Sequence, residues 1–510
     1  MSQGAGSLAS RVAAFLATPR GFFGLLAVYI GLHFIMRLLL SSTVGVDDVA
    51  ESIYAQSLQW SYYPRQPPLY TWLAWASFQI FGVSLAAVTA VKYALVALSY
   101  AFFYLSARRI FADRALVLAA ALSPSLIFAV GWGFHVGFTN TALLTASCSG
   151  SFYVFLRLCD RGGFADYVWL GVAIAAGILS KWGFPAFAGS LFVAGLFQES
   201  SRRRLLHPRM FVTLAVAAAL LAPFAVLGFS GERVHDVFSA DMRHDGRMPY
   251  FPGAVAGMKT LAVSIAAFLA PLWIFGLIVF PKTLTARHGP AAPGLDHRRL
   301  FEHFFMVVGI VLLAGVFVFG ITFFKSRWMH PILLLFPFYF FCLVRDSGYT
   351  ARQMQIWAGI LAFAAVAAVG MRLAQDLVGP PFCGKCRLLK PYPELARDIQ
   401  ARGFSGGTIV AGDEHIAGNF RMVAPDARVA TSKYPFYIPP LRDDAAGQCL
   451  VVWDAREGDT VPGPLAAFLG KDFGAVAAGP TQSVEASYHH DPARTLRLNF
   501  RVTAGTGDCR

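Results

Sequence analysis

Charge is what this 510-residue chain has least of: Asp, Glu, Lys and Arg make up 14% of it, against 56% hydrophobic residues. Soluble globular domains carry about 25% charged residues, so the deficit excludes an ordinary soluble enzyme and places the chain in the membrane class. Acidic residues are the scarcer sign, 29 against 43 Lys and Arg, leaving a net +14. The basic residues form short clusters between apolar runs, the distribution of a multi-pass protein with basic cytoplasmic loops, so nucleic acid is not expected among the partners. Seven cysteines are too few for a disulfide scaffold. There is no P-loop, no repeat of fixed period, and no dinucleotide fingerprint, since GWGFHVG at 131–137 lacks the strand before and the helix after it. The first long apolar run is followed by no small-residue cleavage site, so it reads as a span rather than a removable signal. A membrane enzyme without a nucleotide motif must draw its activated substrate from elsewhere, and the lipid phase is the available supply.

Long apolar runs are what the chain has in quantity. A span needs about 20 residues to cross roughly 30 Å of hydrocarbon, and hydropathy places eleven: 21–40, 86–106, 115–132, 139–157, 166–180, 183–199, 210–229, 257–280, 301–322, 328–343 and 354–371. The two around Lys181 are short, and Gly177, Gly183 and Pro185 leave open a single broken or re-entrant element. With the N-terminus inside, the cytoplasmic loops carry Arg108, Arg109 and Arg114, then Arg157 and Arg161, then SRRRLLHPR at 201–209, then Lys282, Arg287, Arg298 and Arg299, then Arg345 and Arg352. The outer face then receives the loops 41–85 and 230–256, the short FFKSRW at 323–328, and the tail. The expected architecture is a polytopic α-helical membrane domain over 1–371 and an outer α/β lobe over 372–510. In that lobe PYPELARDIQARGF reads as an amphipathic helix and TIVAGD, ARVATS and CLVVWD as strands. Cys383, Cys386, Cys449 and Cys509 all lie there; one or two structural disulfides, free thiols and a metal pair are the alternatives, disulfides first.

The stretch VDDVAESIYAQSLQWSYYPRQPPLYTWL at 46–73 is the conspicuous polar segment. It places Asp47, Asp48 and Glu51 directly beyond the first span, and in a helical turn Asp48 and Glu51 share a face. Trp60, Tyr62 and Tyr63 suit an interfacial position, and Arg65-Gln66-Pro67-Pro68 ends any helix before it, because proline fixes its own backbone and restricts its predecessor. A bland reading remains beside this one: solvated carboxylates in a wet loop, and lysines and arginines that only snorkel at span ends.

The segment resembles the membrane-embedded glycosyltransferases of the GT-C superfamily that use polyprenyl-phosphate sugars, in the bacterial branch related to protein O-mannosyltransferases. That branch includes the aminoarabinose transferase acting on lipid A and the rhizobial lipopolysaccharide galacturonosyltransferases. The resemblance rests on Asp48-Val49-Ala50-Glu51, Gln56-Ser57-Leu58, Gln66-Pro67-Pro68-Leu69-Tyr70 and Trp72-Leu73, then on Lys181 in GILSKWGFP, KSRWMHP at 325–331 and AGDEHIAGNFRMVAPDARV at 411–429. It implies a GT-C fold with about eleven transmembrane helices and a periplasmic lobe. Two departures stand out: the Asp-Glu pair of the family reads Asp48-Val49, and Asn140 replaces an acidic residue at the start of the fourth span.

The resemblance also implies a reaction: inverting transfer of a sugar, galacturonic acid or another modified sugar, from a polyprenyl phosphate to a lipid A or lipopolysaccharide-type acceptor at the periplasmic face of the bacterial inner membrane. Asp48 is then the general base, with Asp47 and Glu51 shaping its field or sharing a metal. Lys181, Arg327, Lys325 and Arg65 are the candidates for the donor phosphate, and Tyr63 for stacking on the sugar. His135 and Asp48 are the candidate metal ligands should a divalent ion take part; the cofactor is otherwise open. His235, Arg243 and His244 lie in a loop suited to gating the acceptor. A transporter or flippase of a lipid-linked or anionic substrate is the alternative, but inverted repeats and paired broken helices are not visible in the sequence.

Overall fold

Small residues decide what sits at the middle of the helical domain. The helix Thr139–Asp160, with TASCSGS in its centre, has 83% of its apolar window buried, because Ala, Ser, Thr and Gly let neighbouring backbones approach closely. A Cβ on Gly150 would stand 2.9 Å from the Phe102 ring of the neighbouring helix Leu85–Ile110. The helices Pro19–Leu40, Met210–Leu227 and Ala351–Val378 are each only 17% buried over the same measure; Val28, Leu39, Val226 and Phe363 point outward, which is the surface lipid would cover.

The structure is a computed structural model and describes residues 15, 16, 18–63, 66–229, 242, 248–289, 294–379, 382–441, 447–475 and 478–510. Among these residues seven helices are long and apolar enough to cross a membrane, or nine if each of two bent pairs is one span. The stretches read as spans at 115–132 and 328–343 are those bent pairs, Arg114–Leu126 with Phe128–Val136 at 83° and Ser326–Leu333 with Phe336–Ser347 at 57°. Prolines lie at Pro124, Pro331 and Pro337, where the missing N–H and the ring interrupt the ladder. The two short runs around Lys181 are separate helices, Phe164–Ile178 and Phe184–Leu196. By length and composition alone, then, seven to nine crossings are shown among the described residues, and the two short helices fall below that length.

The 41–85 segment is more ordered than a loop. It holds an acidic helix, Val46–Tyr54, and a 13-residue helix, Leu69–Phe81, that starts immediately after Pro67-Pro68. The second helix is tethered by the Leu69 N–H to the Leu179 carbonyl at 3.2 Å.

The last apolar helix continues to Val378, past residue 372, and the lobe follows. Its five-stranded sheet has the order β2-β1-β3-β5-β4, with β1 Gly407–Ala411, β2 Arg428–Thr431, β3 Gln448–Asp454, β4 Gln482–Tyr488 and β5 Asp491–Ala504. The first three, parallel to one another, are the strands read from sequence; the antiparallel pair β4 and β5 was not. Cys449 on β3 is bonded to Cys509, and Cys383 to Cys386, so all four lobe cysteines form disulfides.

The lobe grips the acidic helix. The helix Glu414–Val423 lies against it so closely that a Cβ on Gly418 would stand 2.8 Å from the Val49 carbonyl oxygen, and glycine is what such an approach requires. Next to it Asn419 accepts from the Val44 N–H at 2.8 Å and donates to the Val44 carbonyl at 3.2 Å. Gln56 does the same to the exposed edge of β2, accepting from the Val429 N–H and donating to its carbonyl, both at 2.8 Å. These contacts give the Ala-Gly-Asn and Gln-Ser-Leu segments a shared purpose: each pairs backbone polar groups that would otherwise be left buried and unsatisfied.

Candidate functional site

The two adjacent aspartates face different surroundings. Successive helical residues point about 100° apart, so Asp47 and Asp48 at the start of Val46–Tyr54 cannot share a role. Asp48 is 3% exposed; its Oδ2 takes a hydrogen bond and ion pair from Lys92 Nζ at 2.9 Å, and its Oδ1 accepts from Thr139 Oγ1 at 3.2 Å. Asp47 remains half-buried and lines a cavity of about 250 Å³ between the helical domain and the lobe. Glu51, one turn on from Asp48 and on the same face as expected, forms part of the floor of that cavity.

Glu51 is held by two donors, Thr71 Oγ1 at 2.7 Å and Asn140 Nδ2 at 2.8 Å. Burial pushes its carboxyl up to about 7, outweighing these two hydrogen bonds, while the negative charges of Asp47 and Asp48 raise it further. The Asn140 departure is therefore explained: an amide there can donate to Glu51, which a carboxylate could not.

One helical turn serves the whole site. Thr139, Asn140 and Thr141 open the central helix, and they meet Asp48, Glu51 and Lys181 respectively, the last by Lys181 Nζ donating to Thr141 Oγ1 at 2.9 Å. The positive end of the helix dipole is thereby directed at the two carboxylates. Phe138, which precedes this turn, adopts a left-handed backbone at φ 56°. For a bulky side chain such a conformation persists only when its surroundings impose it.

Lys181 stands within electrostatic reach of Asp47. Burial pulls the Lys181 ammonium down to about 8, with Asp47 opposing the shift and Arg327 adding to it. Arg327 is exposed, and Lys325 lies over the Phe323 and Trp328 rings with its ammonium 5.7 Å and 5.1 Å from their centres, a cation–π contact that turns it toward its own segment. Tyr63 lines the cavity and stacks on Phe436 of the lobe at 4.9 Å, so one ring face is already covered by protein. Arg65, His235, Arg243 and His244 lie outside the described residues.

Two of the readings made from sequence meet different surroundings in the structure. Asp48, expected as the general base, does not reach the cavity: its carboxylate is buried in an ion pair with Lys92, whereas a base needs reach to the proton it takes. His135 and Asp48 do not fit a metal site either. His135 is buried, stacked on His33 at 3.7 Å, and its Nε2 and Nδ1 lie 3.0 and 3.3 Å from the Tyr29 and Tyr93 hydroxyls. Among the described residues no three His, Cys, Asp or Glu side chains converge as ligands.

The sequence reading missed Lys92, Thr139, Thr141, Thr71 and Arg387. Lys92 had a signal, since an ionisable residue inside a span is a functional candidate by default. The three threonines had none. Arg387, from the lobe, lines the cavity opposite the acidic helix.

A family model described as dolichyl-phosphate-mannose-protein mannosyltransferase matches residues 65–227. Two proteins of Rhizobium johnstonii, the lipopolysaccharide core galacturonosyltransferases RgtB and RgtA, are each 30% identical to this chain, over 464 and 451 residues; the matches cover 89% and 86% of this chain and 92% and 87% of theirs. In fold, the chain is similar to ArnT from Cupriavidus metallidurans bound to undecaprenyl phosphate, with a TM-score of 0.58 at 14% identity, covering 94% of this chain and 98% of that one. The apo form of the same ArnT gives 0.55 at 15% identity, with the same coverage.

Proposed function

The chain belongs to the GT-C polyprenyl-phosphate sugar transferases, in the group of the lipopolysaccharide core galacturonosyltransferases, and from that premise we propose how its own residues carry out the reaction. The enzyme transfers a sugar from a polyprenyl phosphate to a lipopolysaccharide or lipid A-type acceptor at the membrane. The sugar is a hexuronic acid, in keeping with the activity named for both rhizobial relatives.

Asp47 is the base. It takes the acceptor hydroxyl proton as the acceptor oxygen bonds to sugar C1; the C1–O bond to phosphate breaks, and its electron pair stays on the phosphate oxygen. A single carboxylate at the reacting carbon suits one displacement with inversion. Lys181 and Arg327 stabilise the phosphate as it gains charge, by charge-assisted hydrogen bonds. Asp48 with Thr139, and Glu51 with Asn140, hold the acidic helix in register with the central one, while Lys92 and Thr71 tie it to the helices Leu85–Ile110 and Leu69–Phe81. The observation that carries this reading is that, among the described residues, Asp47 lines the cavity without the ion pair or side-chain hydrogen bonds that hold Asp48 and Glu51, while Lys181, close enough to feel both Asp47 and Arg327, stands near it.

We also infer eleven crossings, counting both bent pairs and both short helices, with the N-terminus cytoplasmic and the lobe beyond Val378 in the periplasm of the inner membrane. The basic loops support that orientation; reporter fusions after Arg204 and after Arg397 in the same compartment would overturn it. Mass analysis of lipid A and core oligosaccharide with and without the gene tests the function: loss of one hexuronic acid residue is expected, and unchanged glycoforms would remove the proposal.

A further inference from the structure

The cavity beside Asp47 is acidic, with Asp47, Glu51 and Glu414 in its lining and one cation among the described residues, Arg387. His415 adds no charge at neutral pH: burial brings its imidazole down to about 4, and Arg387, Lys390 and Lys385 hold it there against Asp413. A hexuronic acid entering such a space would be repelled by Asp47 and Glu414, and by Glu51 whenever it is ionised, unless a cation met its own carboxylate. Arg387 is half-buried, and among the described residues its guanidinium has no ion pair and no side-chain hydrogen bond. An unpaired guanidinium in a partly dry wall is a fork matched to a carboxylate.

The backbone holds that fork in place. Arg387 directly follows Cys386, which is buried, disulfide-bonded to Cys383 and in the left-handed region at φ 41°. A non-glycine residue there is retained by its surroundings at some energetic cost, and the four-residue ring supplies the constraint. Immediately beyond, the Leu388 carbonyl accepts from Ser41 Oγ at 2.6 Å and the Lys390 carbonyl from Thr43 Oγ1 at 2.8 Å. Ser41 and Thr43 lead straight into the acidic helix, so Arg387 is tied to the segment that carries Asp47. Arg387 also lines a second cavity of about 430 Å³ on its other side, and so stands in the wall between the two.

We propose that Arg387 is the specificity-determining residue that binds the carboxylate of the transferred sugar, and that the Cys383–Cys386 ring is the device that positions it. The inference rests on the hexuronic acid reading above. It assigns Arg387 to the sugar and leaves the phosphate to Lys181 and Arg327.

The test uses the purified full-length enzyme and a labelled polyprenyl phosphate, displaced in turn by polyprenyl-phosphate galacturonate, polyprenyl-phosphate galactose and unlabelled polyprenyl phosphate. Arg387→Gln is expected to weaken displacement by the galacturonate donor about 10-fold to 100-fold, the range of a lost charge-assisted bond, and to leave the other two unchanged. Arg387→Lys should restore part of the loss, because the charge returns without the fork. Cys383→Ser with Cys386→Ser should shift the galacturonate donor alone, and by less. Equal weakening of all three ligands, or of none, overturns the proposal. The hexuronic acid reading fails separately, if the wild-type enzyme transfers no sugar from the galacturonate donor to a lipopolysaccharide core acceptor.

Discussion

The acid side and the cation side of the site are built in opposite ways. Asp48 and Glu51 are each bonded to two side chains from the neighbouring helices, and the helix bearing them is gripped by the lobe through contacts of Asn419 and Gln56. Lys181 has one side-chain partner, Lys325 lies against aromatic rings, and Arg327 is exposed. A carboxylate that must sit within hydrogen-bond reach of an incoming hydroxyl gains from rigid placement. Cations that receive a phosphate from the lipid phase must keep donors unspent until it arrives. On the acid side, then, the reacting role is proposed for Asp47, which lines the cavity without the bonds that hold Asp48 and Glu51.

That contrast can be broken most sharply at Asp47. Asp47→Asn keeps size and polarity and removes the base, so single-turnover transfer should fall about 100-fold to 10,000-fold while donor binding survives. A normal transfer rate would return the role to another group. At Asp48 the effect should appear in stability instead. Asp48→Ala leaves Lys92 buried without its partner, a change that costs about 3–5 kcal/mol in comparable buried pairs, read as a loss of thermal stability in detergent. Lys92→Met in the same chain should recover most of it, and failure to do so would show that Asp48 acts beyond the pair.

On the cation side, Lys181→Met should weaken donor affinity about 10-fold to 100-fold without destabilising the fold, since only Thr141 loses a partner. Wild-type affinity would make Lys181 a span-end residue and nothing more. The smallest effect is the pH response of Glu51. Its carboxyl rises from 4.5 to about 7 on folding, so the folded protein favours the protonated form. That contribution to stability is full below pH 4.5 and is lost as pH rises through 7. Thermal stability should therefore decline between those values, and Glu51→Gln should flatten the decline. A slope unchanged in the variant would place the titration elsewhere.

Much of this was legible in the residues. Lengths and compositions of the apolar runs placed the helices, because a bilayer demands about 20 apolar residues of every full crossing, and alternation marked β1, β2 and β3. The strand β4 escaped because it is largely exposed and polar, as in QSVEASY; β5 did carry a signal, Leu496, Leu498, Phe500 and Val502 alternating with Arg497, Asn499 and Arg501, which the reading of the tail passed over. The breaks at Pro124, Pro331 and Pro337 had their sign in the sequence, but the angles at those breaks did not.

By itself, the sequence determined the class of the protein, the crowding of acidic residues after the first span, and the small-residue stretch that brings one helix to the centre; composition and local spacing carry that information. Only the tertiary structure distinguished the surroundings of Asp47 from those of Asp48, since their difference lies in Lys92 and Thr139, 44 and 91 residues from Asp48 along the chain. The same holds for Arg387, brought to the acidic helix across more than 300 residues by the docking of the lobe. Local patterns report which way a side chain can point along its own element; what waits there is set by packing between elements, which no local pattern encodes.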